Sequence, residues 1–357
     1  MPPRTSARKL ADDASPTTNG LAARLQSNGR DLDLDDRRIL NVIQTRFPLA
    51  EEPYRAIAQE LGMSEAEVIQ RVGALKRKHV VRQISAIFDT RRLGYKTSLV
   101  AMAFSPERLH RAALTINRHP GVSHNYARER HEFNLWFTLA VPPYESLEET
   151  IEEMARRTGA LRTRLLPTIR FYKIGVNFDM VKEEGAAVAY EPDNPNWNKA
   201  EPVTPSEVAV IRELQEDLPL EHRPFEAMAG RLGLTQREVF SKAGEFQGRG
   251  IMRRYSAVLH HRRAGFMANA MTVWRVDDPA KKESVGKALA GSRWVTHCYE
   301  RPIYPDWPYS HFAMIHATSR ERCEDVAREL SQASGVTDYL LLYSTREYKK
   351  TRVRYFV

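Results

Sequence analysis

Val122-Ser123-His124-Asn125-Tyr126-Ala127-Arg128 is written again 173 residues later as Val295-Thr296-His297-Cys298-Tyr299-Glu300-Arg301. Side chains alternate between the two faces of a β-strand, so each stretch places His, Tyr and Arg on one face. The repeat extends outward in both directions. With a shift of 171, Pro48-Leu49 meets Pro219-Leu220, Pro53-Tyr54 meets Pro224-Phe225, and Leu61-Gly62 meets Leu232-Gly233. Arg82, Ser85-Ala86, Arg91-Arg92 and Gly94 meet Arg253, Ser256-Ala257, Arg262-Arg263 and Gly265. The same unit, roughly 150 residues long, is thus present twice.

Each unit opens with a helical head. Ile39, Leu40, Ile43 and Phe47 recur at helical spacing, and a short helix is expected around Ile57–Leu61. Ser64-x-x-Glu67 then reads as a capping box that starts a helix with Val68, Val72 and Leu75 on one face. The second copy repeats the device as Thr235-x-x-Glu238, with Val239, Ala243 and Phe246. Short helix, glycine turn and capped helix form a helix-turn-helix, and each head is expected to carry its own strand pair.

Each body alternates strand and helix. In the first, strands are expected at Ser98–Phe104, Gly121–Tyr126, Phe133–Val141 and a closing Ile169–Phe178, with helices at Pro106–Arg118 and Leu147–Arg157. In the second, strands are expected at Asn269–Val276, Trp294–Tyr299, His311–Ala317 and a closing Tyr339–Phe356, with helices at Pro279–Ala290 and Glu321–Ala333. This βαββαβ order predicts a ferredoxin-like body with both helices on one face of an antiparallel sheet. The other face is left for a ligand or a partner sheet. The fold class is therefore α+β, a tandem repeat of a winged-helix-like head and a ferredoxin-like body. The expected divisions are a disordered tail over 1–30, heads over 31–93 and 206–264, bodies over 94–184 and 265–357, and a Pro- and Asn-rich linker over 185–205.

The 357 residues carry 54 Lys and Arg against 45 Asp and Glu, a net charge of +9 that suits an anionic partner or simply keeps the chain soluble. The two cysteines, Cys298 and Cys323, exclude a disulfide scaffold and a cysteine-rich metal cluster. No apolar run reaches the roughly 20 residues of a membrane helix, and the polar first 30 residues do not read as a secretory signal. A cytoplasmic protein with no membrane partner is expected. His260 and His261 are adjacent and would point to opposite faces of a strand, so no dedicated metal site is expected. A single His on a haem-type iron stays open. No Walker loop, dinucleotide fingerprint or Ser-His-Asp order is present.

The first head, with Leu32-Asp33-Leu34-Asp35-Asp36-Arg37-Arg38-Ile39-Leu40 and Ile57-Ala58-Gln59-Glu60-Leu61-Gly62-Met63-Ser64, resembles the Lrp/AsnC transcription regulators. That family joins a helix-turn-helix to a ferredoxin-like ligand domain, and it implies DNA reading as one function. The recognition helices offer Gln70 and Arg71 in copy one, beside Glu65 and Glu67. Copy two offers Glu238, Gly244, Glu245 and Gly248, a poor set for approaching phosphates, so DNA is not the expected partner. Heads retained for packing and dimer geometry are the expectation, and homodimerisation of the chain is left open.

The bodies carry a closer resemblance. His119-Pro120-Gly121-Val122-Ser123-His124-Asn125-Tyr126 with Phe133-Asn134-Leu135-Trp136-Phe137 is similar to one subunit of the siroheme decarboxylases. His297-Cys298-Tyr299-Glu300-Arg301-Pro302-Ile303-Tyr304-Pro305-Asp306-Trp307-Pro308-Tyr309, with the closing run Leu342–Phe356, is similar to the other. The resemblance implies a natural fusion of two subunits that removes the acetate carboxyls of siroheme rings C and D. The product, 12,18-didecarboxysiroheme, leads to heme d1 or to protoheme by an alternative route. Siroheme is then the substrate, and no external cofactor is required.

The residues suit that chemistry. Arg holds a carboxylate in a two-pronged grip, and an imidazole can deliver the proton that replaces CO₂. His124 and His297 are the expected acids, either one per acetate or both in one cleft. Arg82, Arg128, Arg253 and Arg301, with Tyr126 and Tyr299, are expected to bind substrate. Tyr304, Trp307 and Tyr309 are expected to wall the ring. Copy one lacks that aromatic loop, having Glu129-Arg130-His131-Glu132 instead, so the two halves are expected to be unequal.

Overall fold

The computed structural model describes residues 32–174, 177–179, 184–186, 198–259 and 268–357. The amino-terminal tail, most of the expected linker, and the His260-His261 pair lie outside them.

The first head contains α1 (Leu34–Thr45), α2 (Pro53–Leu61), α3 (Glu65–Arg77) and β1 (Val81–Phe88). The Asp33 side chain caps α1 through the Asp36 amide at 2.7 Å, and the Ser64 hydroxyl caps α3 through the Glu67 amide at 3.2 Å. Between α2 and α3, Gly62 turns the chain at φ 71°, a conformation glycine adopts without a steric penalty. The second head repeats this as α6 (Pro205–Leu214), α7 (Glu226–Leu232), α8 (Gln236–Gly248) and β9 (Met252–Leu259). Here both halves of a capping box form between Thr235 and Glu238.

The strand pair expected within each head forms between the heads instead. β1 and β9 run antiparallel, with Ser85 opposite its own repeat partner Ser256. A local twofold axis therefore passes between these serines. Beneath the ribbon lies one shared core, which joins Ile39, Ile43, Tyr54 and Val72 to Ile211, Phe225, Val239 and Phe246. A lone head would leave part of that apolar surface in water.

The first body contains β2 (Lys96–Ala103), α4 (Pro106–Ile116), β3 (Val122–Arg128), β4 (Phe133–Val141), α5 (Leu147–Thr158) and β5 (Arg162–Leu166). After β6 (Arg170–Ile174) come the short strands β7 (Asn177–Asp179) and β8 (Glu184–Ala186), which pair with each other. The second body contains β10 (Ala268–Trp274), a 3₁₀ turn at Pro279–Lys281, α9 (Lys282–Gly291), β11 (Val295–Glu300), β12 (His311–Ala317), α10 (Arg320–Ser334) and β13 (Tyr339–Lys350). One sheet of nine strands runs β5-β2-β4-β3-β13-β10-β12-β11-β6. Its two consecutive quartets, β5-β2-β4-β3 and β13-β10-β12-β11, each have the ferredoxin-like order, and β6 lies beyond the second.

The closing strands differ from expectation. β5, not Ile169–Phe178, closes the first body against β2. β6 crosses to the second body and pairs with β11, Ile174 lying opposite His297. β13 does both jobs in one strand: Tyr339–Tyr343 pair with β10, and Ser344–Lys350 pair with β3, Lys350 lying opposite His124. Pro167 explains the break in copy one, because it has no amide to donate to a ladder. Lysines secure the exchanged segments. Lys173 donates to the Ala290 and Ser292 carbonyls at 3.0 and 2.8 Å, and Lys349 to those of Asn117 and His119 at 2.9 and 3.3 Å. Both cations thus sit at carbonyl-rich helix ends.

Helices α4 and α5 cover one face of the first quartet, and α9 and α10 one face of the second. The helix-free faces meet in a further core of Ala101, Phe133 and Trp136 with Met271, Val273, Trp307, Phe312 and Leu342. Among the described residues, no helix is long and apolar enough to cross a membrane.

Candidate active site

On β3, His124, Tyr126 and Arg128 alternate with residues turned to the helix side, and His297, Tyr299 and Arg301 do so on β11. Since the helix-free faces oppose each other, both triplets border one cavity of about 360 Å³. Matched positions from the two copies complete much of its wall: Leu99 with Met271, Trp136 with Phe312, and Thr138 with Met314. His124 also borders two cavities nearer the heads, of about 220 and 480 Å³.

Within each triplet the geometry repeats. The His124 and Tyr126 rings are 6.3 Å apart, and those of His297 and Tyr299 are 6.1 Å apart. The Arg128 guanidinium lies 5.5 Å from the Tyr126 ring centre, and that of Arg301 lies 4.8 Å from the Tyr299 ring centre. Arg128 donates to the Leu342 carbonyl at 2.8 Å and Arg301 to the Leu166 carbonyl at 2.5 Å. Both arginines are buried, and each keeps an Nε with no hydrogen-bond partner among the described residues. Burial lowers each guanidinium to about 10. Among the described residues no Asp or Glu borders the cavity, whereas Lys350 and His316 add two more basic groups.

The histidines are held neutral. Burial pulls His124 down to about 4, assisted by Lys350, Arg82 and His297 nearby. Burial pulls His297 down to about 4 as well, with Arg253 and Lys173 adding to it. Hydroxyls set both rings: Ser123 Oγ is 3.1 Å from His124 Nδ1, and Thr296 Oγ1 is 3.0 Å from His297 Nδ1.

The remaining expected residues lie elsewhere. Arg82 donates to the Lys350 carbonyl and so supports the cavity wall from behind. Arg253 pairs with Asp89 at 2.7 Å and borders the 220 Å³ cavity. Tyr304, Trp307 and Tyr309 do not border the central cavity. Trp307 is fully buried behind Trp136, with ring centres 5.0 Å apart, and Tyr309 packs on Trp307 at 5.2 Å. Tyr304 donates to the Leu165 carbonyl, and Asp306 accepts from Arg164 at 2.8 and 2.6 Å. The aromatic loop of copy two is thereby clasped to the last strand of copy one.

The expectation missed His316 and Lys350 as cavity residues. Phe312, Met314 and His316 share one face of β12, a period-two signal that was there to be read. In the heads, Arg71 points inward. It donates to Asp33 at 2.7 Å, Asp36 at 3.0 Å and Glu67 at 3.0 Å, so its charge is already matched.

A model of the AsnC-like ligand binding domain matches residues 92–173 and 263–349. A model of the siroheme decarboxylase NirDL-like HTH domain matches residues 36–82 and 207–253. A siroheme decarboxylase of Hydrogenobacter thermophilus is 40% identical over 320 residues, 89% of this chain and 94% of that protein. The chain belongs to the siroheme decarboxylase family. The crystal structure of the siroheme decarboxylase NirDL in complex with an iron-uroporphyrin III analogue superposes with a TM-score of 0.68 at 35% identity, covering 90% of this chain and 94% of that one. Within the family, units also occur as separate subunits. The siroheme decarboxylase beta subunit of Methanosarcina barkeri is 45% identical over 149 residues, 42% of this chain and 97% of that protein.

Proposed function

We propose that this chain converts siroheme to 12,18-didecarboxysiroheme by releasing two acetate carboxyls as CO₂, a step toward heme d1 or protoheme. One observation carries the reading: three histidines and two buried guanidinium groups, which have no carboxylate partner among the described residues, border a single cavity that no described Asp or Glu lines. Desolvated cations are costly unless a counter-charge arrives, and a polycarboxylate tetrapyrrole brings several.

Arg128 and Arg301 hold substrate carboxylates, with Lys350 adding to the positive surround. Tyr126 and Tyr299 back the guanidinium groups. The bond between an acetate methylene and its carboxyl breaks, CO₂ leaves, and the electron pair is spread over the macrocycle. His124 and His297 then each supply a proton to one methylene, giving a methyl group. Held neutral by burial, both imidazoles become better proton holders once carboxylates sit beside them. The aromatic loop stiffens the wall behind Trp136 rather than touching the ring. No redox cofactor enters this scheme, since the electron sink is the substrate itself.

The test is anaerobic incubation of the full chain with siroheme, followed by mass spectrometry. Loss of two CO₂ is expected. A stable siroheme complex with no CO₂ loss overturns the reading. Replacing His124 or His297 with Ala should each abolish at least one decarboxylation. If both steps persist in the two variants, the acid assignment fails.

A further inference from the structure

The two halves of the cavity are not equal around their histidines. The ladders place Val122 opposite Leu139 and Val295 opposite Ile315, so Ala140 and His316 are equivalent positions. Their backbone amides confirm the match, donating to Gly121 and Trp294 respectively at 3.0 Å each. In the first half, the hydroxyl beside His124 continues to another hydroxyl, Thr138 Oγ1, at 2.7 Å from Ser123. In the second half, the hydroxyl beside His297 continues to an imidazole, with His316 Nδ1 at 3.0 Å from Thr296.

Thr296 Oγ1 is therefore bracketed by two ring nitrogens at 3.0 Å each, while its contact to the Met314 carbonyl is longer, at 3.4 Å. A hydroxyl has one proton and two lone pairs. It can accept from Nδ1–H of one ring while donating to Nδ1 of the other. That is the connection a proton needs to pass between imidazoles. Both histidines border the cavity.

We infer that His316, acting through the Thr296 hydroxyl, is the proton reserve for His297, and that no equivalent reserve serves His124. This rests on the proposed role of His297 as an acid. The step balances. The carboxyl leaves as CO₂, its bonding electrons stay with the methylene and macrocycle, and that carbon takes the proton from His297 Nε2. His297 Nδ1 takes the Thr296 proton, and Thr296 takes the Nδ1 proton of His316, which passes from imidazolium to neutral imidazole. Solvent supplies that extra proton when the carboxylate substrate binds. Arg253 and Lys173 face His297, while Lys350 and His297 face His316, all opposing the charging of these rings before carboxylates arrive. The ligand's carboxylates are the groups that reverse this balance. His316 is a positioning residue in this scheme, since it works through His297.

The experiment uses the full chain with siroheme under anaerobic conditions, resolving singly and doubly decarboxylated products in time. His297→Gln identifies which carboxyl depends on His297. His316→Ala and Thr296→Val are each expected to slow that same step at least tenfold and to accumulate the same singly decarboxylated isomer, with the other step within threefold of wild type. The double variant should be no slower than either single one, because both cut one relay. Thr296→Ser should retain the wild-type rate. His316→Gln, which can hydrogen-bond but cannot carry the proton, should stay slow and lose the pH dependence of that step. Wild-type rates in His316→Ala, equal slowing of both steps, or full rescue by Gln overturns the relay. If His297→Gln leaves both steps intact, the acid assignment itself fails, and that outcome is distinct from loss of the relay alone.

Discussion

Arg301 donates to the main-chain carbonyl of Leu166 at 2.5 Å, a residue of the other repeat that is 135 positions earlier in the chain. Arg128 makes the reciprocal bond to Leu342 at 2.8 Å. Each repeat thus aims the guanidinium of the other. The cost is a buried charge with an unpartnered Nε on both sides.

That cost predicts opposite effects on stability and on binding. Replacing Arg301 with Met removes a desolvated cation and keeps most of its volume, a change that is often neutral or stabilising. The ligand-free protein should therefore melt at or above the wild-type temperature. Affinity for iron-uroporphyrin III should fall tenfold or more, about 1.4 kcal/mol or greater. Calorimetric melting with a spectroscopic titration reads both. A strongly destabilised variant with intact affinity contradicts the assignment.

The clasp between Arg164 and Asp306 predicts the reverse pattern. Its two bonds, at 2.8 and 2.6 Å, hold the aromatic loop but do not reach the cavity. Asp306→Asn weakens a partly exposed pair, which costs about 1–2 kcal/mol in chemical unfolding. Affinity for the tetrapyrrole should stay within twofold. A tenfold loss of affinity at unchanged stability would return the loop to a place against the ring.

These pairs show where the sequence is legible. Capped helices, glycine turns and alternating strands are local signals, and Phe133–Val141 and His311–Ala317 are strands with the bounds their alternation suggests. Which strand a segment pairs with is not local. β6 reads as a closing strand of its own body, yet pairs with β11 of the other, and only Pro167 hints at the crossing. The aromatic run from Tyr304 to Tyr309 shows its composition but not its side of the sheet, so Trp307 reads as a ring wall although it lies beneath Trp136. His316 escapes notice for another reason. Comparing the repeats highlights what they share, and His316 stands where they differ.

Acid should destabilise the ligand-free protein in a defined window. His124 and His297 are lowered to about 4 and His316 to about 3, all from an ordinary 6.5, because burial penalises the charged rings. Above pH 6.5 both folded and unfolded chains carry these rings neutral. As pH falls below 6.5 the unfolded chain binds protons first, so stability is lost between about 6.5 and 4. Each ring contributes roughly 1.4 kcal/mol per pH unit there. A His297→Gln variant should show a shallower loss in denaturant titrations across that window. An unchanged slope contradicts the buried neutral state.

Binding should move protons in the other direction. Carboxylates entering beside His124 and His297 favour the charged rings, so the complex holds more protons than the free protein. Affinity for iron-uroporphyrin III should rise as pH falls from 7 toward 5, until the ligand's own carboxylates begin to protonate. Calorimetry in two buffers of different ionisation enthalpy measures the uptake directly. Proton release on binding contradicts the prediction.

A break in the chain between Ala186 and Asn198 should leave a working two-chain complex. The heads share the β1–β9 ribbon and one apolar core, so separation exposes residues such as Ile43, Tyr54, Phe225 and Phe246 to water. β6 supplies an edge strand to the second body, and the end of β13 supplies one to the first. Lys173 and Lys349 then hold helix ends across the break. Neither half completes the cavity, because His124 comes from one and His297 from the other. Co-expressed halves should therefore elute as one species and still release two CO₂ from siroheme, whereas either half alone should aggregate or remain inactive. Two stable, separately eluting halves, one of them fully active, would show that the exchanged strands do not build the site.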